Sequence, residues 1–149
     1  MAQAALQGAR DIAHELEAET RLDCRLQAAE HVAAHDVLGA DGLLFCAPEN
    51  LGSLSGAMKE FFDRVYYDVL DQINGRPYGL LIAAGTDGTG AVRQTERICT
   101  GWRLEPIAPA QIILTGAQTP KAIAAPKKIG PDEWALCHTM GGTLAALLL

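Results

Sequence analysis

No apolar run in this chain of 149 residues approaches the roughly 20 residues a bilayer-spanning helix needs; the most apolar stretch, Leu144 to Leu149, is far too short. The start, MAQAALQGARDIAHELEAE, has no basic beginning, apolar middle or cleavage site of the kind a signal peptide carries. Both absences lead us to expect a soluble, cytoplasmic protein. Excess basic charge is missing too. The net charge is −6, with acidic and basic residues mixed along the chain, which argues against a nucleic-acid partner. Cys24, Cys46, Cys99 and Cys137 are scattered, with no C-x-x-C pair and no zinc-like spacing, so reduced thiols are expected, Cys46 as plain core. What is present is globular: 49% hydrophobic and 20% charged residues, in a chain of single-domain length.

Several catalytic signatures are also lacking. The loop GTDGTG (Gly85 to Gly90) is not followed by Gly-Lys-Ser/Thr and does not fit G-x-G-x-x-G, which excludes a Walker-type phosphate loop. Neither Ser53 nor Ser55 has the G-x-S-x-G setting of a hydrolase nucleophile. His31 and His35 have i, i+4 spacing, but no Glu in the zincin arrangement and no third ligand accompany them, so no metal site is expected. His14 and His138 stand alone on expected helices. Asp87 lies between two small residues in a Gly-rich loop, where an Asp side chain commonly satisfies its own backbone. Trp102 is expected in the core, and Asp63 and Arg64 in surface ion pairs.

The periodicities give an alternating order of elements. Apolar residues at Ala5, Leu6, Ala9, Ile12, Ala13 and Leu16 predict a first helix over Met1 to Glu17. TRLDCRL, Thr20 to Leu26, alternates apolar with charged residues and reads as a strand near a sheet edge. Gln27 to Leu38 is Ala-rich and reads as a short helix. Asp41 to Ala47 is a continuous apolar run, a strand covered on both faces and stopped by Pro48. Ser55 is an N-cap candidate for a helix carrying Met58, Phe61, Phe62, Val65, Tyr66, Val69 and Leu70 on one face. Asn74-Gly75 marks a turn; Tyr78 to Ala84 is a second buried strand; a helix over Ala91 to Thr100 follows the loop. A further strand over Ala110 to Thr115, a loose connection from Pro120 to Pro131 and a helix over Asp132 to Leu149 complete the chain. Strands alternating with helices imply an α/β fold, a parallel sheet with helices on both faces.

Two loops lie at the carboxyl ends of buried strands, where open parallel sheets bind ligands: PENLGSLSG (Pro48 to Gly56) and GTDGTG. Each is rich in Gly and small hydroxyl residues, so backbone N–H groups can approach a ligand closely. One such loop alone would read as a turn and a helix cap; two at the same end of adjacent strands read as a site.

APENLGSLSGAMKEFFDRVYY, Ala47 to Tyr67, resembles the strand-3 loop and helix of flavodoxin-like proteins. The pattern P-x-x-x-G-x-x-S-G-x-x-K-x-F-x-D-R of the NADPH-dependent FMN reductase and quinone reductase group is matched by Pro48, Gly52, Ser55, Gly56, Lys59, Phe61, Asp63 and Arg64. Asn74 to Ile107 is similar to the following strand, second flavin-contacting loop and helix of that group. The resemblance implies a single flavodoxin-like domain over 1–149, a three-layer α/β/α fold whose sheet has family order 2-1-3-4-5, with FMN at the switch point. Pro48, Glu49, Asn50, Leu51 and Gly52 would then lie against the flavin ring, with Gly85, Thr86, Asp87 and Gly88 along its other edge. The implied chemistry is electron transfer from NAD(P)H through FMN to a small acceptor such as a quinone, with no protein acid or base, in a chain that can form homo-oligomers.

The sequence departs from that pattern at its start. The family's first strand and its Ser/Thr/Gly-rich phosphate loop have no counterpart, so the chain is expected to be N-terminally truncated relative to the family, with strand 1 absent. The FMN phosphate would then lose its main backbone donors. A rival reading follows: a truncated or degenerate relative that binds no flavin and serves as a structural or interaction module. A different α/β enzyme, a small hydrolase or nucleotide-binding domain, ranks last because it needs a nucleophile or phosphate loop that the sequence does not contain.

Overall fold

The computed structural model describes residues 1–149. Three parallel strands form the sheet: β1 (Leu43–Asn50), β3 (Pro77–Ala84) and β5 (Gln111–Leu114), with β3 in the centre. Two short pieces complete it. β2 (Ser53–Leu54) folds back antiparallel on the end of β1, and β4 (Glu105–Pro106) pairs with the start of β3. β3 is covered on both faces, and Leu81 and Ile82 are wholly buried, as its unbroken apolar run requires.

One face carries α3 (Gly56–Val69), α4 (Thr89–Gly101) and the short α2 (Ala34–Leu38); the other carries α1 (Ala2–Glu15) and α6 (Pro131–Leu148). On the first face Phe61 and Phe62 from α3 meet Phe45 of β1 and Trp102 at the end of α4, with the Phe62 and Trp102 ring centroids 5.1 Å apart and nearly edge-on. Tyr66, expected on this buried face, is turned to the surface beside Tyr67. On the second face α1 and α6 approach until backbone meets backbone. A Cβ added at Gly141 would lie 1.9 Å from the Ala5 carbonyl oxygen, and one at Gly8 would lie 1.9 Å from that of His138. His138 also bonds Asp11 across the pair at 2.8 Å, a contact that holds the Asp11 carboxyl below its ordinary range. A fifth helix, α5 (Pro120–Ala124), is one capped turn in the connection to α6, with the Thr119 hydroxyl accepting from the Ala122 amide.

The first helix, the three main strands, α3, α4 and the last helix match the sequence reading. The expected strand at Thr20 to Leu26 does not form. A 3-10 turn occupies Glu19–Arg21, and residues 22–28 run extended with no strand partner. Their alternation is realised in burial only in part: Leu22 and Cys24 are half-buried while Arg21, Asp23 and Arg25 are exposed, but Leu26 is exposed as well. The physical reason lies at the ends of the segment. Arg21 is bonded to the Leu149 carbonyl, and Arg64 on α3 donates to the carbonyls of Ala29 (2.9 Å) and Val32 (2.6 Å). These anchors hold the segment off β1, and none of the N–H groups of Leu22 to Gln27 makes a backbone hydrogen bond. The expected helix over Gln27 to Leu38 is likewise broken, into a 3-10 turn at Ala29–His31 and α2, which leaves His31 and His35 on different elements.

Pro48 does not stop β1, which continues to Asn50. The Pro48 carbonyl accepts from the Ser55 amide on the side away from β3. A strand residue points its N–H and C=O the same way, so the missing proline N–H falls on the outer edge, where no ladder bond is lost. That edge is otherwise open. Between Leu43 to Ala47 and the extended segment lies a cavity of about 760 Å³, closed above and below by the two helical layers.

Cys24 and Cys46 both line this cavity, Cys99 and Cys137 are buried, and burial raises all four thiols, Cys46 to about 11 and Cys99 to about 12. At pH 8 an aromatic disulfide reagent is therefore expected to react with Cys24 first and slowly, the other three thiols appearing only in denaturant. Rapid native labelling of Cys99 or Cys137 would contradict the packing of their helices.

Candidate functional site

Both Gly-rich loops emerge at the carboxyl ends of β1 and β3, which are direct neighbours, with Pro48 paired in register to Ala83. One side chain binds them together. The Glu49 carboxylate accepts from the Gly88 amide at 2.9 Å through one oxygen and from the Ala91 amide at 3.0 Å through the other. It thereby satisfies N–H groups at the start of α4 that the helix cannot satisfy itself, and its charge suits the positive end of the helix dipole. Gln94, one turn further on, accepts from the Leu54 amide (2.8 Å) and the Ser53 hydroxyl (3.0 Å). The first loop is thus fastened to α4 at two points.

The backbone fits the same plan. Gly90 lies under the loop so closely that a Cβ there would sit 2.0 Å from the Gly52 carbonyl oxygen. Gly88 has φ +90 and lies over Ile112, a combination no side chain would tolerate. At the tip, Leu51 takes φ 54 with its side chain fully exposed, followed by Gly52 at φ 71. A large apolar residue held in the left-handed region is strained, and the anchors on either side hold it there.

Of the residues singled out in the sequence, the fold brings Pro48, Glu49, Asn50, Leu51 and Gly52 to the same end as Gly85, Thr86, Asp87 and Gly88. Asn50, Leu51, Thr86 and Asp87 are exposed, and the N–H groups of Leu51, Gly52, Thr86 and Asp87 donate to no protein acceptor. Asp87 serves its own loop, accepting from the Thr89 hydroxyl at 2.8 Å. A third loop joins them, unnoticed in the sequence: Thr115 donates to Ala84 through both its amide (2.8 Å) and its hydroxyl (3.1 Å), and Gly116 donates to Gly85. Gln94 was also missed, because a polar residue one turn into an amphipathic helix carries no signal of its partner. Trp102 is core, as expected.

The sequence model of the family described as NADPH-dependent FMN reductase matches residues 9–119 of this chain. The chain belongs to that family. The matched span contains both loops, their strands and α4. A flavodoxin of Aquifex aeolicus (strain VF5) is 37% identical over 68 residues, 46% of this FMN reductase family chain and 37% of the flavodoxin, so the alignment spans little more than a third of that relative. Among solved structures, a flavodoxin from the domain Archaea superposes with TM-score 0.71 at 12% identity, over 99% of this chain and 90% of that one. A flavodoxin, WrbA-like protein from Agrobacterium tumefaciens gives 0.67 at 11% (98% and 85%), and an NADPH-quinone reductase from P. pentosaceus gives 0.55 at 14% (88% and 87%). At such identities these structures establish the fold, which is flavodoxin-like. No helix is long and apolar enough to cross a membrane.

Unshared backbone donors at two Gly-bearing loops, around an exposed edge, suit a flat ring with acceptor atoms such as the flavin of the family's cofactor. For the ring end of FMN the residues present are chemically suitable. For its phosphate, the two loops offer no Lys or Arg.

Proposed function

We propose that this chain holds the ring of FMN between the loop of Pro48, Glu49, Asn50, Leu51 and Gly52 and the loop of Gly85, Thr86, Asp87 and Gly88, and works as an NAD(P)H-dependent flavin or quinone reductase in the cytoplasm. The observation that carries the reading is the pair of hydrogen bonds that the Glu49 carboxylate accepts from the Gly88 and Ala91 amides, which fixes two donor-bearing loops as one rim. When bound, FMN supplies the electron transfer. The chain's part is to position it. Free amides of Leu51, Gly52, Thr86 and Asp87 are the candidates to meet ring oxygens and nitrogens, and Leu51 can cover one face of the ring. No side chain need act as acid or base. NAD(P)H as donor and a small quinone as acceptor are proposed from membership of the NADPH-dependent FMN reductase family and from the likeness to an NADPH-quinone reductase.

The test is an FMN titration followed by quenching of flavin fluorescence. Saturable binding at micromolar concentration or tighter, about −8 kcal/mol or better, supports the reading; no binding overturns it for this chain. A second reading, an interaction module that binds no flavin, is favoured by the lack of Lys and Arg at the two loops and gains if the titration fails.

A further inference from the structure

We infer that Lys121 and Lys128, in the connection between β5 and α6, bind the 2′-phosphate of NADPH and so set a preference for NADPH over NADH. The inference rests on the reductase reading and names the nucleotide that the site takes. Charge distribution is the first observation. The chain has a net charge of −6, yet no Asp or Glu occurs between Glu105 and Asp132. Three of its four lysines, Lys121, Lys127 and Lys128, fall in that interval. The acid-free stretch is thus a local cation in an anionic protein. All three lysines are exposed. Lys59, the fourth, is neutralised by Asp63 one turn along α3. Lys127 turns back to α5, donating to the carbonyls of Ile123 and Ala125. Lys121 and Lys128 donate to no protein group through their ammonium ends.

Placement is the second. The connection leaves the carboxyl end of β5, the neighbour of β3. Its first residues are fastened to the second loop: Thr115 to Ala84, Gly116 to Gly85, and the Ala117 carbonyl oxygen 3.0 Å from where a Cβ on Gly85 would sit. Its last are fixed too, with Ile129 packed on the core of Leu81, Ile113 and Met140, and Gly130 entering α6. Between these anchors the lysines stand on the side of the Gly85 loop away from Pro48, because β3 separates β1 from β5. A ring seated between the first two loops leaves that side to a second ligand. The nicotinamide of a dinucleotide has to reach the ring, and its adenosine end then finds its contacts beyond the rim. One group there distinguishes NADPH from NADH, a phosphate monoester with a charge of about −1.5 to −2 near neutral pH. Ammonium groups on flexible stems answer such a charge without requiring one fixed geometry. Ile123, 61% exposed between the two lysines in sequence, offers the adenosine an apolar contact.

The probes are adenosine 2′,5′-bisphosphate and adenosine 5′-monophosphate, titrated by calorimetry at low ionic strength without FMN. The bisphosphate is expected to bind about tenfold more tightly, the weight of two exposed ion pairs. In the double variant Lys121→Gln, Lys128→Gln that advantage is expected to fall to about twofold or less. The control is Arg10→Gln, Arg97→Gln, which removes the same charge from exposed positions on α1 and α4 and is expected to keep most of the advantage. The inference is overturned by any of three results. The first is no saturation by the bisphosphate up to about 1 mM. The second is an equal response of the two double variants. The third is an FMN affinity that falls in the lysine variant as far as the bisphosphate affinity does, which would assign the lysines to the flavin's phosphate. The nucleotide titrations contain no FMN, so failure of the flavin reading and failure of the lysine assignment give different results.

Discussion

Gly141→Ala is expected to lower the stability of this chain by about 2–3 kcal/mol, the cost of overpacking a contact that cannot yield. On helix propensity alone the same change would gain close to 1 kcal/mol, since Ala is the best helix former and Gly among the worst. The sign is reversed by what the new methyl would meet. Its Cβ would lie 1.9 Å from the Ala5 carbonyl oxygen, with the Ala5 carbonyl carbon at 2.5 Å and its Cα at 2.7 Å. All of these are backbone atoms of α1, so no rotamer change relieves the clash and the helix itself must move. Gly101→Ala is the control. Nothing lies within 4 Å of a Cβ there, at the last residue of α4, so the change is expected to be neutral or stabilising by a few tenths of a kcal/mol. Urea denaturation of both variants decides the matter, and a neutral Gly141→Ala would mean that α1 does not dock on α6 at backbone contact.

The same packing shows what a sequence conveys and what it withholds. The runs of β1, β3 and β5 and the 3.6-residue stripe of α3 are local patterns, each written within a dozen or so residues, and each element formed, although β1 runs past Pro48 to Asn50 and Tyr66 leaves the buried stripe. Thr20 to Leu26 carries an equally clear alternation, and Leu22 and Cys24 do turn inward. A strand, however, is defined by its neighbour. Whether a ladder closes depends on Arg21 reaching Leu149 and on Arg64 holding Ala29 and Val32, contacts far apart in sequence that no local pattern records. At the candidate site the division is similar. Gly52, Gly85 and Gly88, with the strand ends beside them, marked both loops. That Glu49 would reach 39 and 42 residues along the chain to bond Gly88 and Ala91 was not legible, and it was read only as part of a ring-side loop.

Glu49→Ala is expected to be the most damaging single change at the site, at about 2–3 kcal/mol. Removal of the carboxylate leaves the Gly88 and Ala91 amides without an acceptor in a half-buried setting. Loss of a charged acceptor is worth about 1.5–3 kcal/mol, and loss of a charge at a helix N-terminus about 0.3–1 kcal/mol. Gln94 alone would then hold the loop to α4. Glu49→Gln separates the two effects, because its amide oxygen can still accept one bond while the charge is gone; about 1 kcal/mol is expected, within the range for a weakened cap. Urea unfolding measures both variants, and amide exchange at Leu51 and Gly52 reports the loop directly. If Glu49 acts by fixing the rim, FMN affinity should follow loop protection: largely kept in Glu49→Gln and lost in step with faster exchange in Glu49→Ala. Suppose instead that both variants lose affinity alike while the Gln loop stays protected. The carboxylate would then be needed by the ligand itself and not by the loop.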